Sequence, residues 1–136
     1  WDVAEQAVAI RDKFDSSVSK SLLLGNGDVY TMAEAEEKVK KYGVDGVMIG
    51  RGIFGQPWLL SGKPEPELSE KLKIMVEHTE LFEELFKDTK SFNVMKKHYK
   101  AYVTGFRGAN ELRVELMEAK DAAEVRSIAE KFILPT

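Results

Sequence analysis

The chain has 136 residues, 43% of them apolar and 10% aromatic, with a formal net charge of -3 and a pI near 5.5. That is enough apolar material for one ordinary domain or two small ones, and the acidic balance argues against a wholly basic protein that coats nucleic acid. There is no cysteine, which excludes disulfides, thiolate metal ligands and a cysteine acid or nucleophile.

The chain starts on Trp1 inside an amphipathic pattern and shows no signal-peptide tract, so this end reads as cut from a longer chain. No apolar run approaches the roughly 20 residues of a membrane span, and the cytoplasm is the default compartment. Val3, Ala7, Val8, Ile10 and Phe14 recur at helical spacing, with Asp2 available as N-cap. Ser21-Leu22-Leu23-Leu24-Gly25 is a short continuous apolar run, as expected of a parallel strand covered on both faces. Thr31 and Glu34 stand in capping-box register at the head of a helix that runs to about Tyr42. Gly46-Val47-Met48-Ile49-Gly50 is a second strand of the same kind. Helix, strand, helix, strand with short loops implies parallel strands joined by crossover helices, in an open doubly wound sheet or a closed barrel.

After Pro57 the pattern changes. Ser61-Gly62-Lys63-Pro64-Glu65-Pro66 has the composition of a linker, which places one domain at 1–62 and another at 67–136. Leu68, Leu72, Met75, Thr79, Phe82 and Phe86 predict a helix over about 67–87. Phe92, Met95, Tyr99, Tyr102 and Phe106 form a second stripe, and Leu112 and Leu116 mark a third helix. Ala122, Val125, Ile128, Ala129 and Phe132 mark a fourth, opened by Asp121 with Glu124 in capping-box register. Four helices with short connections predict a small four-helix bundle.

Each strand ends in a glycine turn: Gly25-Asn26-Gly27-Asp28 after the first, Gly50-Arg51-Gly52 after the second. Ligands of parallel α/β folds bind at these carboxyl ends, where glycine lets backbone approach an anion and a following helix start offers free amides. Arg51 adds a cation able to grip phosphate oxygens. In the second half, residues 87–113 carry seven basic side chains against two acidic ones, although the chain as a whole is acidic. Lys96, Lys97 and Lys100 share a helix face roughly opposite Met95, Tyr99 and Tyr102, and Arg107 and Arg113 extend the patch, a surface suited to RNA phosphates. Tyr99, Tyr102 and Phe106 read as core. His98 can donate to a phosphate or cap a carbonyl, and His78 can pair with Glu77 or Glu80; neither has a companion at metal-ligand spacing, so no metal site is expected. Glu77, Glu80, Glu83 and Glu84 read as an outward helix face.

The strings Gly25-Asn26-Gly27-Asp28-Val29, Gly43-Val44-Asp45-Gly46-Val47-Met48-Ile49-Gly50-Arg51-Gly52 and Gln56-Pro57-Trp58-Leu59 closely resemble the tRNA-dihydrouridine synthases, nearest to the bacterial B-type branch. The likeness continues through Met95-Lys96-Lys97-His98-Tyr99-Lys100-Ala101-Tyr102 and Gly108-Ala109-Asn110-Glu111-Leu112-Arg113. The resemblance implies the last two βα units of a TIM (β/α)₈ barrel followed by a helical tRNA-binding domain. It implies an enzyme that holds FMN on the barrel, reduces it with NADPH and passes hydride to a uridine of tRNA. Asn26, Gly27, Asp28, Gly50 and Arg51 are then part of the FMN site, mainly its phosphate end, and Lys96, Lys97, Lys100, Arg107 and Arg113 meet tRNA. The family protonates the uracil with a cysteine, which is absent here, so no catalytic residue is assigned and this chain alone is expected to be inactive and to retain FMN weakly. Two strands with unpaired edges are expected to associate with another copy. The residues also admit a phosphate-binding barrel enzyme acting on a phosphorylated metabolite, or a stand-alone RNA-binding helical module.

Overall fold

A computed structural model of the chain describes residues 1–14 and 21–133. The chain divides into two compact units: Trp1–Ile53 with Pro57–Lys63, and Phe54–Gln56 with the chain from Pro64 onward. In the first, α1 (Asp2–Phe14), β1 (Leu24–Asn26), α2 (Met32–Tyr42) and β2 (Gly46–Met48) follow in order, then two 3-10 turns at Arg51–Ile53 and Leu59–Ser61. The strands pair in parallel, Leu24 opposite Gly46, Gly25 opposite Val47 and Asn26 opposite Met48. α2 is closed at both ends by its own sequence. Glu34 N–H donates to the Thr31 hydroxyl at 3.1 Å, the Glu34 carboxylate accepts from the Thr31 amide, and Gly43 adopts the left-handed conformation of a C-cap.

Several expectations need correction in this unit. β1 begins at Leu24, three residues later than the apolar run suggests, and β2 ends at Met48. The strands are not covered on both faces: Leu22 is 75%, Leu24 68% and Met48 54% exposed, because alternation puts all three on the same side and nothing described packs there. Asp2 is the first helical residue, not the cap, and the Trp1 carbonyl accepts from the Ala4 and Glu5 amides. The apolar stripe of α1 is split, with Val3, Ile10 and Phe14 turned to solvent while Arg11 is buried. Arg11 is inside because its guanidinium is satisfied there. It donates to the Asp45 carboxylate, to the Ser21 carbonyl at 3.2 Å and to Asp12 Oδ1 at 2.9 Å. Asp45 also accepts from the Leu23 amide at 2.9 Å, so this cluster ties α1 to the entrances of both strands.

The second unit consists of α3 (Leu68–Phe86), α4 (Asn93–Tyr102), α5 (Ala109–Glu118) and α6 (Ala122–Ile133). α3 packs on α4 and α6, and α5 packs on the same two helices. Leu72, Met75, Val76 and Thr79 from α3 meet Met95, Tyr99, Tyr102, Leu112, Leu116, Val125 and Ala129 in the buried centre. Phe92 and Phe106 flank α4 and are half-buried. Gly55 lies so close to the Ala101 backbone that a side chain there would overlap it, which attaches Phe54–Gln56 to α4. Asp121 accepts from the Glu124 amide at 2.8 Å, while the Glu124 carboxylate reaches back to the Lys120 amide at 2.9 Å. Glu80 and Glu83 are not a bare outward face: Glu80 accepts from Arg126 Nε at 2.8 Å and Glu83 from the Ala122 amide at 3.3 Å, both linking α3 to α6. Among the described residues no helix is long and apolar enough to cross a membrane.

Candidate functional site

In the first unit, the loops that leave the carboxyl ends of β1 and β2 border one depression of about 300 Å³. Its lining includes Asn26, Gly27, Asp28, Gly50 and Arg51, all five residues singled out in the sequence, together with Val29, Tyr30 and Gly52. The glycines serve different ends. Gly25 faces the Trp1 ring, and Gly52 lies against the Val29 carbonyl and Tyr30, so both are required by packing within the protein. Gly27 has φ +135°, a conformation that side chains rarely adopt. Gly50 is neither in a positive-φ conformation nor within 4 Å of any atom that a Cβ would meet. Among the described residues, neither backbone conformation nor packing calls for glycine at 50.

Two parts of the expected anion chemistry are altered. The start of α2 offers few free amides, because the Glu34 carboxylate already takes the Tyr30 amide at 2.8 Å and the Thr31 amide at 3.2 Å. Arg51 is not an isolated cation. Its Nη2 donates to Asp28 Oδ1 at 2.7 Å, with the two side chains 77% and 71% exposed. An exposed pair of this kind contributes at most about 1 kcal/mol, so an incoming phosphate can displace the carboxylate from Arg51.

In the second unit, Lys96, Lys97, Lys100 and Arg113 line a groove of about 830 Å³ between α4 and α5. Tyr99, Asn110, Val114, Met117 and Glu118 complete it. An adjoining depression of about 520 Å³, spanning Thr104–Glu111 and Arg113, contains Arg107. Asn110 and Arg113 border both hollows, which brings the five predicted cations onto one continuous surface. Lys96 Nζ donates to the Met117 carbonyl at 2.7 Å and Arg113 to Asn110 Oδ1. Among the described residues none of the five forms an ion pair with a carboxylate. Tyr99 and Tyr102 are core, as their stripe indicates, and burial pushes each hydroxyl up to about 12.

The two histidines differ from expectation. His78 Nδ1 shares a 3.0 Å hydrogen bond with the Tyr102 hydroxyl, not with Glu77 or Glu80. His98 lies edge-on to Phe54 and 5.4 Å from the His78 ring, aimed at an aromatic cluster, and among the described residues it caps no carbonyl. Burial lowers both below the ordinary histidine value, and His98 is lowered further by His78 and Lys97. Among the described residues no group of three or more potential ligands could hold a metal. Sequence reasoning missed Asn110, Val114 and Met117, although their spacing with Arg113 puts all four on one face of α5. It also missed Trp1, whose ring partners all lie 24 or more residues away and leave no local signal.

The profile described as Dihydrouridine synthase (Dus) matches residues 8–134. The chain belongs to the dihydrouridine synthase family. Curated relatives agree: a probable tRNA-dihydrouridine synthase of Staphylococcus aureus is 37% identical over 134 residues, covering 97% of this chain and 40% of the relative. One from Staphylococcus epidermidis matches at 37% over the same length, and probable tRNA-dihydrouridine synthase 2 of Bacillus subtilis at 33%. The chain therefore spans about 40% of the length of these dihydrouridine synthases. The match over residues 8–134 includes both the depression at the strand ends and the basic groove.

Proposed function

We propose that the chain supplies two parts of a flavin-dependent tRNA-dihydrouridine synthase, the phosphate end of an FMN site and a tRNA-docking surface. The observation that carries the cofactor reading is the convergence of two consecutive strand-end loops on one depression beside the unencumbered Gly50. A depression of about 300 Å³ lies at the small end of ligand sites, suited to a phosphate and the adjoining chain of the cofactor rather than the whole of it. Gly27, Gly50 and the Arg51 amide would face the phosphate, with the Arg51 side chain as counter-charge and Asn26 and Asp28 available to hydroxyl groups. Bound FMN, reduced by NADPH, would supply the hydride. The residues here would bind and orient it, and without a cysteine this chain alone is expected to be inactive.

The basic surface supports tRNA as partner, because folded RNA is recognised largely through phosphates and shape. Arg107 stands beside the start of α5, where Gly108 is in the left-handed conformation and no side chain caps the helix, so the helix dipole adds to the attraction for phosphate. The open face of Leu22, Leu24 and Met48 is apolar surface that another layer of a longer chain or another copy of the chain would cover.

Titration of the chain with FMN, followed by flavin fluorescence, tests the cofactor reading. Weak saturable binding that falls on Arg51→Ala and Gly50→Val is expected. Binding that ignores both substitutions would discard the cradle and leave the helical unit as an RNA-binding module. For RNA, Lys96→Glu with Lys100→Glu is expected to abolish tRNA binding at low salt.

A further inference from the structure

The strand-end loop that bears Gly27 and Asp28 is held in a conformation that an unrestrained chain would leave. Gly27 has φ +135°, and Asp28, at φ +45°, is the one non-glycine residue with positive φ among those described. Aspartate enters this region more readily than most residues, at a cost of at most about 1–2 kcal/mol, and the exposed pair with Arg51 contributes to holding it. Among the described residues, the Trp1 side chain bonds to the backbone of this loop. Trp1 Nε1–H donates to the Gly27 carbonyl at 2.9 Å. The indole is itself fixed: it lies on Gly25 where any Cβ would overlap it, it stacks on Tyr42 at 5.4 Å, and the Lys38 ammonium stands 4.6 Å above it. Trp1 does not line the depression, so the bond commits the Gly27 carbonyl to a group outside it.

We propose that Trp1 is a positioning residue for the anion cradle: its indole N–H turns the Gly27 carbonyl away from the site and so holds the Gly27-Asp28 loop in the shape that accepts a phosphate. An uncommitted carbonyl oxygen at the rim would repel the anion, and a mobile loop would have to be ordered on binding. The inference rests on the cradle reading above. It explains why Gly25 and Gly27 alternate as they do, the first to admit the ring and the second to present its carbonyl to the ring edge.

The test compares FMN with riboflavin, which lacks the phosphate, on the 136-residue chain and on Trp1→Phe, a change that keeps a ring over Gly25 but removes the donor. Wild-type chain is expected to prefer FMN. Trp1→Phe is expected to weaken FMN by about twofold to tenfold, the range for one neutral hydrogen bond, with riboflavin unchanged. A wild-type chain without preference for FMN would overturn the cradle and this inference together, whereas a preference retained in full by Trp1→Phe would overturn the inference alone. Should Trp1→Phe lose its thermal transition, wild-type chain labelled at the indole nitrogens decides, with Trp58→Phe assigning the signals. Slow exchange of Trp1 Nε1–H and a shift of its signal on adding FMN are expected, and fast exchange or an unmoved signal would overturn the proposal.

Discussion

Replacing Lys97 and Lys100 by alanine tests the basic groove with little risk to the fold, since both side chains are exposed and bonded to no carboxylate among the described residues. Lys96 is left in place because it donates to the Met117 carbonyl. Neutralised phosphates release counterions, so the slope of log affinity against log salt is about -0.9 per contact on a duplex. If Lys96, Lys97, Lys100, Arg107 and Arg113 each meet one phosphate, the slope is about -4.5, and affinity for tRNA falls roughly 500-fold between 50 and 200 mM salt. With Lys97 and Lys100 removed, the slope becomes about -2.7 and the same change in salt costs only about 40-fold. Filter binding or anisotropy with labelled tRNA at four or five salt concentrations measures both slopes. Equal slopes for the two proteins would refute the assignment, even if the variant binds more weakly overall.

Stability should also depend on acid through the two histidines. Because the folded chain holds His78 and His98 below the ordinary value near 6.5, the unfolded chain binds protons first as pH falls through that value, and stability is lost on acidification until the folded values are passed. Urea midpoints at pH 7.5, 6.5 and 5.5 should therefore decline, and His98→Gln should flatten the decline; a constant or rising midpoint would contradict the half-buried pair. Gly52→Ala places a methyl against the Val29 carbonyl and Tyr30, and is expected to cost about 1–3 kcal/mol in urea unfolding, as overpacking does. A variant as stable as wild type would mean that the two strand-end loops do not approach each other as described.

What could be read from the sequence was mostly local. Thr31 with Glu34, the glycine C-cap at 43 and the stripe of Met95, Tyr99 and Tyr102 each depend on neighbours within a turn or two, and all take the expected form. That Asn26, Gly27, Asp28, Gly50 and Arg51 would lie together was legible because strand ends and glycine turns are chain-order features, and a parallel pair necessarily brings its two carboxyl ends together. What failed depended on partners distant in sequence. Arg11 is buried by Asp45, 34 residues away, and His78 is turned from its neighbouring acids by Tyr102, 24 residues away. The cover expected over both strand faces also failed, because an apolar run shows that a strand can be buried but not what is present to bury it.

The central claim is that two neighbouring loops close on one anion, and amide chemical shifts of the isotopically labelled chain measure this most directly. On titration with FMN, the signals of residues 26–28 and 50–52 should shift together along one saturable curve. Shifts in only one of the loops, or curves with different midpoints for the two, would contradict a shared site.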